Sequence, residues 1–203
     1  MMSNTNATTP TTANINRREF VSELVNACPH ALFVAGLGSS TYDLFAAGDR
    51  PNNFYLWGAM GGAAGIGLGL ALAQPSKPIV VLTGDGEQLM GLGTLATIGA
   101  QLPKNLTLVI LDNGHFGETG MQHSHTSLGT DLVAVAKACS IANSHHVAQT
   151  SGLSDISACI QNPAQTSLFQ VLVKADEVPK ALPIRDGVHI KNRFRAVLGL
   201  EPL

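Results

Sequence analysis

The sequence predicts an α/β protein: a doubly wound, mostly parallel sheet with helices on both faces. Three observations carry that prediction. Short apolar runs such as Val80-Val81-Leu82 and Leu108-Val109-Ile110-Leu111 show no polar alternation, as expected of strands covered on both faces. They alternate with segments of helical period, the pattern of βαβ units. Two of the runs end on Gly84-Asp85-Gly86 and on Asp112-Asn113. These pairs stand at the carboxyl ends of strands, where open α/β sheets bind ligands.

Each element follows from local signals. Phe20, Leu24, Ala27 and Cys28 recur at helical spacing and give a first helix over 17–28. Ala31–Ala35 is a short strand ending in the small-residue turn Gly36-Leu37-Gly38-Ser39-Ser40. A short helix over Thr41–Ala47 is closed by Gly48 and the Asp49-Arg50-Pro51-Asn52 turn. Asn53–Trp57 reads as a strand, and Met60–Gln74 as a helix with glycines on its packing face. After the Ile79–Leu82 strand comes one helix, Gln88–Ala100, stopped before Pro103. An amphipathic helix over Asp131–Ile141, a weak strand near His146–Ala148, a helix over Leu153–Gln161 and a strand over Leu168–Val173 complete the alternation. A last helix is expected over His189–Leu198.

At 203 residues the chain suits one well-cored domain, placed at 17–178. Residues 1–16, rich in Ser, Thr and Asn, are expected to be a disordered tail, and 179–203 a C-terminal extension. Hydrophobic residues make up 45% and charged residues only 13%, so a quaternary partner is expected to cover part of the surface. A net charge of −2 offers no basic footprint for nucleic acid. No run reaches the ~18 apolar residues of a membrane span. Arg17-Arg18-Glu19-Phe20 looks like a twin-arginine signal, but Glu19, Glu23 and Asn26 break up the apolar stretch that such a signal needs. Cys28, Cys139 and Cys159 are widely spaced in apolar context and read as buried free thiols. A cytoplasmic protein is the expectation.

Asp85 lies between two glycines, which permit a sharp turn and close backbone approach to a ligand. A helix comes next, and its free N–H groups favour an anion such as a diphosphate. Alone, Gly-Asp-Gly reads as a turn with Asp as helix cap. Joined to Asp112-Asn113 one crossover later, it reads as a carboxylate and a carboxamide side by side. That donor set suits a hard cation such as Mg2+ bridging to a phosphorylated ligand.

Together these residues resemble the thiamine-diphosphate binding motif. More narrowly, Asn53–Gly61, Leu92–Gly99, Glu118-Thr119-Gly120 and His125–Asp131 resemble the sulfopyruvate and phosphonopyruvate decarboxylases, with similarity over 17–175. The resemblance implies thiamine diphosphate and Mg2+ as cofactors. It implies Asp85 and Asn113 as metal ligands through their side chains, and His115 through its backbone carbonyl. It places Gly38, Ser39, Gly84 and Gly86 by the diphosphate, and Gly58 and Met60 by the aminopyrimidine. Met60 would hold the cofactor bent, a role that rests on the surrounding match, since by itself it reads as an ordinary core methionine.

Some positions depart from the family pattern. Glu87 stands where a small hydroxyl is usual, which a diphosphate tolerates only if the carboxylate points away or reaches a metal-bound water. His115 fills a position that is smaller in many relatives, and Met121 replaces an expected glycine.

The family's activating glutamate sits on a pyrimidine-binding domain that this chain does not supply, so a second subunit is expected to bring it. The implied activity is decarboxylation of an anionic 2-oxo acid, sulfopyruvate or phosphonopyruvate, with release of CO2 and an aldehyde. A carboligase subunit of acetolactate-synthase type and a non-catalytic cofactor-binding subunit are the alternatives. His115 and His125, on the loop above the cofactor, are candidates for proton transfer or anion binding, or are simply solvated. His123-Ser124-His125 lacks a third ligand at zinc-like spacing. Gly36-Leu37-Gly38 lacks the last glycine and the acidic residue of a dinucleotide fingerprint.

Overall fold

The computed structural model describes residues 14–203. The tail expected over 1–16 therefore lies mostly outside the described residues. Its last part is ordered: Ile15 is buried and bridges Val173 in parallel. Asn16 caps the first helix, its side-chain oxygen accepting from the Arg18 and Glu19 amides at 3.1 and 3.3 Å. A cap of this kind is worth about 1 kcal/mol, and buried Ile15 adds an apolar anchor beside it.

Helix α1 (Arg17–Ala27) leads to β1 (Leu32–Ala35), α2 (Ser39–Ala46) and β2 (Asn53–Tyr55). Helix α3 (Ala63–Ala73) returns the chain to β3 (Ile79–Gly84), and α4 (Asp85–Met90) with α5 (Thr94–Gln101) carries it to β4 (Leu106–Asp112). A hairpin of β5 (His115–Phe116) and β6 (Gln122–His123) comes next, then α6 (Leu132–Ala138), β7 (Asn143–Val147), α7 (Leu153–Gln161), β8 (Ser167–Leu172) and α8 (Gly187–Val197).

Six strands form one sheet in the order β2-β1-β3-β4-β8-β7, every neighbouring pair parallel. From β1 the chain moves to one side for β2 and to the other for β3. The topological switch therefore opens a crevice at the carboxyl ends of β1 and β3.

Alternate residues of each strand feed two separate cores. Phe33, Val80, Leu82, Val109, Phe169 and Val171 face one way, against Phe20, Leu24, Ile156 and Ile160 of α1 and α7. Val34, Val81, Leu106, Leu108, Ile110 and Leu168 face the other, against Ala64, Leu68, Leu95, Ile98 and Leu132 of α3, α5 and α6. Covering on both faces is why these strands lack polar alternation.

Several local expectations are corrected. The single helix over 88–100 is two helices, α4 and α5, separated by Gly91-Leu92-Gly93, where two poor helix formers sit together. The helix expected from Met60 begins at Ala63, because Gly61, at φ 85°, is still in a turn. The weak strand near 146–148 is β7, three residues earlier at its start, and continues the sheet beside β8. Of the three cysteines, all free, only Cys28 is buried; Cys139 and Cys159 are partly exposed. Burial pushes the Cys28 thiol up to about 11, with Arg50 pulling the other way.

The C-terminal extension does hold a helix. Helix α8 packs on the β2 edge through Phe194, whose ring meets Phe54 edge-on at 5.5 Å, and through Arg193, which pairs with Asp49 at 2.6 Å. Among the described residues, no helix is long and apolar enough to cross a membrane.

Candidate functional site

Register brings the two motif halves together. Gly84 at the end of β3 lies opposite Leu111 of β4, so Asp85 and Asp112-Asn113 leave adjacent parallel strands at the same level. A cavity of about 190 Å3 opens there, lined by Ser39, Met60, Gly84, Asp85, Gly86, Asn113 and His115. Gly38 and Gly58 do not line it, but each directly precedes or shortly precedes residues that do, at φ 79° and 77°. Met60 is 42% exposed, so it is not an ordinary core methionine.

Asp85 is buried, and so is Asp112. Ser124 and Thr126 stand between them: the Ser124 hydroxyl donates to Asp85 Oδ2, and Thr126 Oγ1 lies 2.9 Å from Asp112 Oδ1 and 3.3 Å from Asp85 Oδ2. The Gly114 amide and the Gln170 side-chain amide also donate to Asp112, at 2.8 and 2.6 Å. Burial first, and the neighbouring Asp112 charge second, push the Asp85 carboxyl up to about 6. Two carboxylates so placed favour a cation, because a positive charge relieves both causes. Asn113 supplies a neutral oxygen beside them; here its Oδ1 accepts the His115 amide at 3.0 Å.

One wall of the cavity is built by the start of α2. Its N-cap is Gly38, and no side chain caps its first amides, which leaves them open to an anion. Gly86 leaves room for the Phe116 ring: a Cβ there would fall 2.7 Å from it and force the ring to shift. Glu87 also lines the cavity, with its carboxylate turned towards the turn that leads into α2. Its Oε2 accepts from Thr83 Oγ1 at 2.8 Å, in space that exists because Gly36 has no side chain; a Cβ on Gly36 would sit 1.5 Å from that oxygen. Burial raises the Glu87 pKa, and the Thr83 bond opposes it. Met121 adopts φ 59°, the left-handed region in which glycine is free, so the expected glycine matches the backbone that the chain retains here.

The histidines divide. His115 lines the cavity, with Nδ1 2.7 Å from the Asn113 carbonyl oxygen and its ring 4.7 Å from that of His123. His125 is exposed, outside the cavity lining, with its ring edge-on to Phe116 at 6.1 Å. His123 is exposed too, 3.2 Å from the Ser127 hydroxyl.

Sequence reasoning missed the residues between them. Ser124 and Thr126 turn inward to the carboxylates while His123 and His125 are exposed; the run passes from β6 into a 3-10 turn over His125–Leu128, so no strand alternation announced them. Also missed were Arg17, Ser40, Phe116 and Glu118, all in the cavity wall. For Arg17 no local signal existed, since α1 reaches the site only through the tertiary fold.

The comparisons with known proteins agree with this geometry. The chain is 38% identical over 177 residues to a phosphonopyruvate decarboxylase of Streptomyces viridochromogenes, covering 85% of this chain and 43% of that protein. It is 43% identical over 126 residues to the sulfopyruvate decarboxylase subunit beta of Methanocaldococcus jannaschii, covering 62% of this chain and 66% of that one. It thus spans less than half of the first relative and about two thirds of the second. In fold it is similar to a putative thiamin diphosphate-dependent enzyme of Mycobacterium smegmatis, with a TM-score of 0.68 at 21% identity over 81% of this chain and 32% of that one. The family model "Thiamine pyrophosphate enzyme, C-terminal TPP binding domain" matches residues 36–174. The chain belongs to the thiamine pyrophosphate enzymes, and its fold is that family's cofactor-binding domain.

Proposed function

We propose that this chain is the diphosphate-binding subunit of a Mg2+-dependent 2-oxo-acid decarboxylase acting on sulfopyruvate or phosphonopyruvate, with release of CO2 and an aldehyde. The observation that carries it is the buried Asp85 beside Asp112, next to Asn113, facing the uncapped N-terminus of α2 across one cavity. That set fits a divalent cation together with a diphosphate. The substrate class rests on the names of the two relatives.

When bound, thiamine diphosphate supplies the electron sink for loss of CO2 from the 2-oxo acid. The chain's own residues hold and orient it. Asp85 and Asn113 ligate Mg2+ through their side chains and His115 through its backbone carbonyl. Gly38, Ser39, Gly84 and Gly86 give close backbone approach to the diphosphate. Gly58 and Met60 meet the pyrimidine side, Met60 as the apolar wedge. His115 and His125 are the candidates to transfer a proton or bind the substrate anion; His115 lines the cavity, which supports it, whereas His125 lies outside against Phe116.

The working unit is residues 17–178 with its extension 179–203 and the Ile15-Asn16 anchor before it, in the cytoplasm, where the three free thiols stay reduced. A second subunit carrying the pyrimidine-binding domain completes the site. The name of the M. jannaschii relative, a subunit beta, supports a partner. So does the exposed apolar set Met60, Ile66, Leu72 and Met90 around α3 and α4.

The test is to express the chain with and without the candidate partner and assay sulfopyruvate and phosphonopyruvate. Stoichiometric CO2 and aldehyde only from the pair support the reading. A longer hydroxyketone indicates a carboligase, and full activity of the isolated chain refutes the split site.

A further inference from the structure

Arg17 is a charge inside the cavity wall that the motif residues do not explain. It is the first residue of α1, 6% exposed, and it lies outside the segment matched by the family model. It lines the same cavity as Ser39, Ser40, Asp85 and Asn113. Among the described residues, both of its side-chain hydrogen bonds leave from Nη1: one to Asp43 Oδ2, and one to the Ser39 carbonyl oxygen at 3.4 Å. Asp43 is fully buried and also takes Arg18 Nε at 3.0 Å. Two guanidinium groups thus face one carboxylate, Arg17 buried and Arg18 partly exposed. Arg17 shares its carboxylate with Arg18, so its guanidinium can also take an anion in the cavity, where the other charged lining groups are Asp85, Glu87 and Glu118.

The cavity runs across the end of the sheet. Helix α1 covers one face, and α3, which comes after Met60, covers the other. Arg17 and Met60 therefore approach it from opposite faces: apolar Met60 suits the ring portion of a ligand, and Arg17 suits its charged end. Between them lie the open amides of α2, beginning at Ser39, whose own carbonyl Arg17 holds.

We propose that Arg17, held in place by Asp43, binds the terminal phosphate of the diphosphate from the α1 side of the cavity. This rests on the reading of the cavity as a thiamine-diphosphate site. The planar guanidinium keeps donors beyond Nη1 for a phosphate, a geometry that lysine does not reproduce. Asp43 is the positioning residue.

The test compares thiamine diphosphate, thiamine monophosphate and thiamine, each with Mg2+, by calorimetry on the full chain together with its partner subunit where the two co-purify. The variants are Arg17→Met, Arg17→Lys and Asp43→Asn. The readout is the ratio of affinities within one preparation, which does not depend on the folded fraction and which a purely structural residue would leave unchanged. Arg17→Met is expected to lower the diphosphate-over-monophosphate preference by about tenfold or more. Arg17→Lys restores only part of it, and Asp43→Asn, which leaves Arg17 less firmly held, lowers it in the same direction by a smaller factor. If both Arg17 variants keep the wild-type ratio, the inference is overturned and the cofactor reading stands. If the wild-type protein shows no preference for the diphosphate, both fall.

Discussion

Two concavities of this molecule differ in what they leave unneutralised. The larger, about 510 Å3, runs along the outer strand β7 and is lined by His145, His146, Asp155, Cys159 and Phe169. Its polar groups are largely answered: His145 stacks on Phe169 at 5.8 Å and bonds Asn143 at 2.8 Å, and His146 lies 3.1 Å from Asp131. The smaller, at the ends of β1, β3 and β4, is lined by buried Asp85, which has Asp112 as its charged neighbour, by the uncapped start of α2 and by buried Arg17. Buried charge awaiting a partner marks the site, and volume does not.

The comparison breaks most visibly under ligand removal. Asp85→Ala and Asn113→Ala are expected to weaken Mg2+-dependent thiamine-diphosphate binding by more than about a hundredfold, whereas Asp155→Ala and His145→Ala in the β7 groove leave it unchanged. Equal losses from both regions in a calorimetric titration would end the distinction. Next in size is Gly86→Ala, which drives a Cβ against the Phe116 ring at 2.7 Å. An overpacking cost of about 1–3 kcal/mol is expected in urea unfolding, with recovery in the double variant that also carries Phe116→Leu.

A smaller effect comes from pH. The folded-state pKa of Asp85, about 6, lies above its ordinary 3.8, so the folded protein without cation holds a proton that the unfolded chain releases within that window. On this group's account, stability without cation is fullest below pH 3.8 and declines as pH rises towards 6. Cation binding needs the carboxylate, so Mg2+-dependent cofactor affinity rises over the same window and levels off at higher pH. A flat affinity profile from about pH 4.5 to 7.5 would count against Asp85 as the ligand. Smallest is the difference between two histidines: His115→Ala lowers decarboxylation more than His125→Ala, because only His115 lines the cavity.

Much of the fold and site was legible in the sequence, for identifiable reasons. Strands buried on both faces write themselves as unbroken apolar runs, so β3 and β4 and the polar residues ending them could be read directly. Asp85 and Asn113 were accessible because strand order turns sequence neighbours of Gly84 and Leu111 into spatial ones. The direction of Glu87 was not, because it depends on space at Gly36, reached only when β1 and β3 pair. Ser124 and Thr126 were hidden by the more conspicuous histidines on either side. Arg17 stayed out of reach because an arginine opening a helix looks alike whether it faces water or a cavity, and only packing α1 beside α2 decides.

The central claim is that the carboxyl ends of β3 and β4 form the metal and diphosphate site. Crystals grown with Mn2+ and thiamine diphosphate test it through anomalous scattering. The account predicts one strong peak between the side-chain oxygens of Asp85 and Asn113. A peak in the β7 groove beside His145 and Asp155, with none at Asp85, would contradict it.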